Sequence, residues 1–299
     1  MPSLLDLGGG AMLPYFCNLP LEGSHAGITR AVIVVHGLQR NAQGAFQAVS
    51  DSASYAGEAG RTIVFAPWFQ ESSPAHGQLY WSDDRWRDGR VSNAQSGIPS
   101  LSSYTVVDII VKQLTDPGRF ADLSDMVLAG HSAGGQLMQR YAATNFIQPA
   151  LKWQRFRYVV ANPGTYMYLN RRRWIRGRFR RPGWFRRLIC PTWNTYRYGL
   201  RNRNGYVGEP SADQIRTRYP ERRVIYLLGD KDVENGDLDR SCPARLQGSH
   251  RFQRGKTYFN HIEEFFSPHL HALITVPGVG HSGGDMYRSP AGQGALFQS

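Results

Sequence analysis

Cysteine is scarce in this chain of 299 residues: only Cys17, Cys190 and Cys242 occur, and no two form a CxxC pair. That excludes a disulfide-stapled miniature fold and a cysteine-built zinc or redox centre, and leaves room for one disulfide at most. Long hydrophobic runs are missing too, since stretches such as Ala31–Val35 fall far below the ~18 residues a membrane span requires. Gly and Pro together make up about 16% of the chain, short of the roughly 25–30% that marks low-complexity sequence. No Lys or Arg precedes Arg30, so the basic first region of a secretory signal is not visible, and the expected compartment is the cytoplasm. Acidic residues are outnumbered, with 23 Asp and Glu against 35 Lys and Arg, a formal charge of +12. None lies between Arg171 and Arg187, a stretch that holds nine arginines. What is present is apolar material for a core: 41% of residues are hydrophobic, and a chain of this length buries about three quarters of its unfolded surface without staples.

That material is organised. Ala31–Val35, Arg61–Phe65, Met126–Ala129, Tyr158–Ala161, Val224–Leu228 and Ala272–Val276 are short apolar runs that end at Gly, Pro, His or Asn. Strands buried on both faces read this way. Between them Tyr104, Val107, Ile110, Val111 and Leu114 recur at helical spacing, as do Leu137, Met138, Tyr141, Ala142 and Phe146, and a third helix is expected over 254–266. Strands alternating with helices predict an α/β fold built on a mostly parallel sheet. The alternation fails between Ala161 and Val224, where about 60 residues rich in Arg, Trp and Tyr are interrupted by prolines, too long for a structureless loop in a compact domain. We read 163–221 as a cap or lid inserted in a single domain spanning 1–299.

The chemistry centres on Gly130-His131-Ser132-Ala133-Gly134, a G-x-S-x-G set between a predicted strand and a predicted helix. Such a turn exposes the serine on a strained backbone, and side chains at Gly130 and Gly134 would collide with neighbouring chain. Placing the hydroxyl at a helix N-terminus directs backbone N–H groups, that of Ala133 first, at a developing oxyanion. A serine hydroxyl is a weak nucleophile until a base takes its proton, so a histidine and an orienting acid are required. Gly229-Asp230-Lys231-Asp232 follows one predicted strand and Gly280-His281 the next, giving the order Ser, Asp, His at the C-terminal edge of the sheet. Asp230 and Asp232 both qualify. Asp232 is preferred because it stands further into the loop.

These residues resemble the α/β-hydrolase superfamily over essentially the whole chain from His36-Gly37 to His281. The bare HG turn, Tyr80-Trp81-Ser82-Asp83 and GHSAGG are most similar to bacterial serine esterase-like members. The resemblance implies a mostly parallel sheet with helices on both faces, Ser132 as nucleophile, His281 as general base and Asp232 at the G-x-x-D acid position. It also implies an oxyanion hole formed by Leu38 and Ala133. His36 is read as a buttress of its turn, and the absence of an HGGG run counts against bulky or tertiary-alcohol esters.

The expected activity is therefore ester hydrolysis through an acyl-enzyme, without cofactor or metal, on a small-molecule or polymeric ester. Trp68, Tyr80, Trp81 and Trp86, which follow the second central strand, and His131 beside the nucleophile are the expected substrate-binding residues; aromatic walls suit an apolar substrate. No HExxH accompanies His250, His261, His269 and His271, and the acids from Asp230 to Asp239 fail the register of a calcium loop. The run 171–187, in which Trp174, Phe179, Trp184 and Phe185 alternate with arginines, is read as a lid whose aromatics rest on the core and whose cations face solvent. The alternative function is a polyanion- or membrane-binding protein on a hydrolase scaffold that uses this segment, with nucleic acid not expected. Oligomeric state is left open.

Overall fold

A computed structural model describes residues 1–151, 155–203, 205–234 and 236–298. Among these residues ten strands run β1 Ser3–Gly8, β2 Ala11–Cys17, β3 Arg30–Val35, β4 Thr62–Pro67, β5 Asp125–His131, β6 Arg155–Ala161, β7 Arg173–Ile175, β8 Arg178–Arg180, β9 Val224–Gly229 and β10 His271–Val276. Eight form one sheet in the order β1-β2-β4-β3-β5-β6-β9-β10, and β7 and β8 pair as a separate hairpin. From β4 to β10 all neighbours are parallel, whereas β2 is antiparallel to both β1 and β4. All six apolar runs are strands of this parallel region. The β1–β2 hairpin was not anticipated, because its edge position leaves polar residues such as Ser3 and Asp6 in strand.

The α-helices are α1 Ala42–Tyr55, α2 Ser103–Leu114, α3 Ala133–Thr144, α4 Ile147–Ala150, α5 Trp184–Ile189, α6 Ala212–Arg218, α7 Cys242–Arg245, α8 Arg251–Phe265, α9 Gly283–Arg288 and α10 Pro290–Phe297. Caps mark their starts: Asn41 accepts from the N–H of Gly44, Ser102 from Tyr104, and Ser211 and Gln214 close a reciprocal capping box. The helix expected over 254–266 begins three residues earlier, where His250 supplies the N-cap by accepting from the N–H of Gln253.

Alternating strand residues fill two cores, one on each side of the sheet. Ala31, Ile33, Val35, Met126 and Leu128 face α2, α3 and α8. Val32, Val34, Val127 and Ala129 face α1, α9 and α10. This period-two split explains why the strands read as unbroken apolar runs. The interval 163–221 carries the β7–β8 hairpin, α5 and α6, and Cys190 is bonded to Cys242 across 52 residues. Among the described residues no helix is long and apolar enough to cross a membrane.

Candidate active site

The turn between β5 and α3 is built on contact distances that admit only glycine. A Cβ on Gly130 would stand 2.3 Å from the carbonyl of Gly134, and one on Gly134 would stand 2.2 Å from the oxygen of Val35. Ser132 between them has φ 57° and ψ −113°, a strained backbone that thrusts its side chain out of the strand, while its N–H is held by the oxygen of Ala161 at 2.9 Å. Ser132 Oγ lies 3.0 Å from His281 Nε2, and His281 Nδ1 lies 2.7 Å from Asp232 Oδ2. Asp232 is 1% exposed.

Asp230, the alternative acid, is elsewhere occupied: its Oδ1 accepts the N–H of Gly278 at 2.8 Å and so ties the loop after β9 to the loop after β10. Asn162 makes a second tie, at φ 42°. Its Oδ1 accepts from the N–H of Gly229 at 2.9 Å and its Nδ2 donates to the oxygen of Gly280 at 3.2 Å. One buried amide thus sets the spacing of the two loops that carry Asp232 and His281. Its signal in the sequence was faint, an Asn before Pro163-Gly164 at a strand end. Arg251, the first residue of α8, brings Nη1 to 3.6 Å from Asp232 Oδ1 and donates from Nη2 to the oxygen of Gly236 at 2.7 Å. Nothing in the linear pattern marked it.

Leu38 and Ala133 border the same cleft as Ser132, and an added Cβ on Gly37 would lie 3.7 Å from the Ser132 Cβ, which brings the HG turn against the turn that carries Ser132. His36 is the buttress it was read to be. It is buried, its pKa is pushed down to about 4 by that burial, and the N–H of Phe69 donates to its Nε2. Its Nδ1 therefore carries the hydrogen donated to the oxygen of Gly37 at 2.8 Å. His131 rests its ring 4.7 Å from that of His281 and borders the cleft. Burial first, then the positive fields of His281 and Arg251, push its pKa down to about 3, so it stays neutral beside His281.

The four aromatics expected as a substrate wall are not among the residues that border this cleft. Trp86 and Trp81 are buried beneath the HG turn, Trp86 stacked on Phe69 at 5.4 Å and tilted against His36 at 4.7 Å. Trp68 leans on Phe16, and Tyr80 lies along a different groove with Ser72, Ser73 and Gln95. The cause is Arg40, whose guanidinium donates to the oxygens of Phe69, Gln70, Trp81 and Asp83 at 2.7–3.1 Å and folds the aromatic loop back over the sheet. What reaches the cleft from that loop is the ion pair Asp84–Arg87.

The cleft of about 480 Å³ is consequently charged. Opposite Asp84 and Arg87, Arg197 bridges Asp88 and Asp239 at 3.3 and 3.2 Å. Burial raises the Asp239 pKa, but hydrogen bonds from Tyr198 and Ser241 and the Arg197 charge outweigh it and hold it down at about 2. Among the described residues of 163–221 only Gly164 and Arg197 line the cleft, and none of 171–187 does. Within that run Phe179 rests on the core as expected, whereas Trp174, Trp184 and Phe185 are exposed. Arg173 also departs from the expected solvated face: it is buried, stacked 4.1 Å over Tyr168.

No family model matches the chain, and no curated protein matches it in sequence. Solved structures do. The chain is similar to poly(aspartic acid) hydrolase-1 from Sphingomonas sp. KT-1, with a TM-score of 0.71 at 21% identity over 100% of this chain and 98% of that one. It is similar to LpqC, the poly(3-hydroxybutyrate) depolymerase of Bordetella parapertussis, with a TM-score of 0.67 at 21% identity over 99% and 90%. FphF, a fluorophosphonate-binding serine hydrolase of Staphylococcus aureus, follows at a TM-score of 0.52 and 12% identity over 99% and 96%. The chain has the α/β-hydrolase fold.

Proposed function

We propose that this protein is a serine hydrolase that cleaves a carboxylic ester. The observation that carries the reading is the unbroken line from Ser132 Oγ through His281 to buried Asp232, at 3.0 and 2.7 Å. His281 takes the proton from Ser132 as the hydroxyl adds to the substrate carbonyl, and the N–H groups of Leu38 and Ala133 donate to the oxyanion. Collapse expels the alcohol, which receives the proton from His281, and a water activated by the same base releases the acid and regenerates Ser132. Asp232 holds the imidazole in the tautomer that presents Nε2 to the serine. No step calls on a metal or cofactor.

The charged lining of Asp84, Arg87, Arg197 and Asp239 favours a polar or charged substrate over the apolar one that the aromatics suggested. The names of two structural neighbours, a poly(aspartic acid) hydrolase and a poly(3-hydroxybutyrate) depolymerase, favour a polymeric one. The Cys190–Cys242 disulfide favours an oxidising compartment over the cytoplasm.

The test is covalent labelling with a fluorophosphonate probe, followed by hydrolysis of p-nitrophenyl esters that differ in chain length and charge. Ser132→Ala should abolish labelling and lower turnover by several orders of magnitude while the circular dichroism spectrum is unchanged, because triad members act as a unit. Retention of more than about a tenth of the activity would overturn the assignment.

A further inference from the structure

The hydrolase reading leaves the arginine-rich segment without a role, since none of its residues borders the cleft. Its charge is one-sided: from Met126 to Gly208 the sequence contains no Asp or Glu. Arg171, Arg172, Arg176, Arg178, Arg181 and Arg186 are all exposed. Next to them α5 has no buried residue at all. Its Trp184, Phe185, Leu188 and Ile189 are 72%, 58%, 68% and 62% exposed, and Trp174 on the neighbouring hairpin is 45% exposed.

These side chains are not scattered. Trp184 and Leu188, like Phe185 and Ile189, are four residues apart, so all four share one side of the helix, while Arg186 and Arg187 flank it. Apolar side chains gathered this way on a protein surface mark a contact site. The ridge is also held in place, because Cys190, immediately after α5, is bonded to Cys242 at the start of α7.

We propose that this face docks the protein on an anionic phospholipid surface. The four apolar side chains enter the layer between headgroups and acyl chains, and the surrounding guanidinium groups pair with lipid phosphates. Each part of the face has a use in that contact. A second copy would bring two cationic faces together, and a nucleic acid would use the arginines and aromatics but leave Leu188 and Ile189 against phosphates and water. The contact is peripheral, and it leaves the cleft residues untouched.

The experiment is sedimentation of the full-length protein with vesicles of phosphatidylcholine alone and of phosphatidylcholine containing phosphatidylglycerol. Binding should be confined to the anionic vesicles and should fall about tenfold between ~0.1 and ~0.5 M salt, since each arginine near the surface accounts for roughly a fivefold gain that salt screens. The variant carrying W184A, F185A, L188A and I189A should lose at least about tenfold in partitioning with its melting temperature unchanged. If it does not fold, Leu188→Glu at an exposed position gives the same reading. Equal binding to neutral and anionic vesicles, or undiminished binding by these variants, overturns the proposal. So does steeply salt-dependent binding to duplex DNA without vesicle binding, or a dimer that the variant dissociates while wild-type protein ignores vesicles.

Discussion

Arg251 lies 3.6 Å from the oxygen of Asp232 that His281 does not use, so the Asp232 carboxylate stands between an imidazole and a guanidinium. Arg251 is 2% and Asp232 1% exposed, and among the described residues Asp232 Oδ1 has no hydrogen-bond partner. In Arg251→Gln the buried carboxylate loses the guanidinium that stands 3.6 Å from its Oδ1, and Arg251→Lys should restore most of what is lost. The same substitution leaves a buried carboxylate without its counter-charge, at a cost of about 3–5 kcal/mol, which a urea titration will read. A urea midpoint equal to that of wild type would show that Arg251 supplies no counter-charge to Asp232 and only anchors the loop.

The two neighbouring aspartates should separate cleanly. Asp232→Asn removes the acceptor that sets the His281 tautomer, and a loss of about 10⁴ in kcat is expected by analogy with other triads. Asp230→Asn retains an oxygen able to accept the N–H of Gly278, so turnover should fall less than about tenfold. Steady-state kinetics on one ester decides between them, and a larger loss at Asp230 would reverse the roles.

Stability should decline on the acid side of neutrality. His36 and His271 are buried, and burial pushes the pKa of each down to about 4. The same histidines in the unfolded chain titrate near their ordinary value of about 6.5. Between those values the unfolded state binds protons that the folded state refuses, so the stability these groups provide is complete above about pH 6.5 and is lost as the pH falls toward 4. Each contributes a slope of up to about 1.4 kcal/mol per pH unit. Urea midpoints at pH 7.5, 6 and 5 check this; a flat response would mean these histidines are protonated in the folded protein.

Breaking the cross-link between Cys190 and Cys242 should destabilise the protein by about 2–4 kcal/mol, because it frees a 52-residue loop in the unfolded chain. The paired Ser variant and reduction of the wild-type protein should give matching shifts in urea midpoint. Cys17 should not interfere: burial pushes its thiol up to about 11 and keeps it in the unreactive form. Unchanged midpoints under reduction would show that the bond does not hold the native state.

Legibility followed the range of the interaction that decided each feature. The six parallel strands were visible because burial on both faces demands continuous apolar residues, and the elbow because only glycine fits beside the backbone at 130 and 134. The order of Ser132, Asp232 and His281 followed from the same logic, since each stands just beyond the C-terminal end of a strand. Helix α1 and the C-terminal pair α9 and α10 were not anticipated; α10 in particular holds Gly292 and Gly294, which weaken any helical pattern.

By itself, then, the sequence determined the sheet, the glycine-flanked turn at Ser132 and the chain order of Ser132, Asp232 and His281, all of which depend on neighbours a few residues apart. Tertiary structure alone decided what surrounds them. Trp81 and Trp86, expected beside the substrate, are buried under a loop that Arg40 holds, and the cleft is lined by Asp84, Arg87 and Arg197. Asn162 and Arg251 gained their positions by joining segments 67 and 19 residues away, contacts that carry no local periodicity. The arginine run likewise divided into a buried Arg173 and an exposed ridge from Trp184 to Ile189 only when the rest of the chain had fixed which side faced the core.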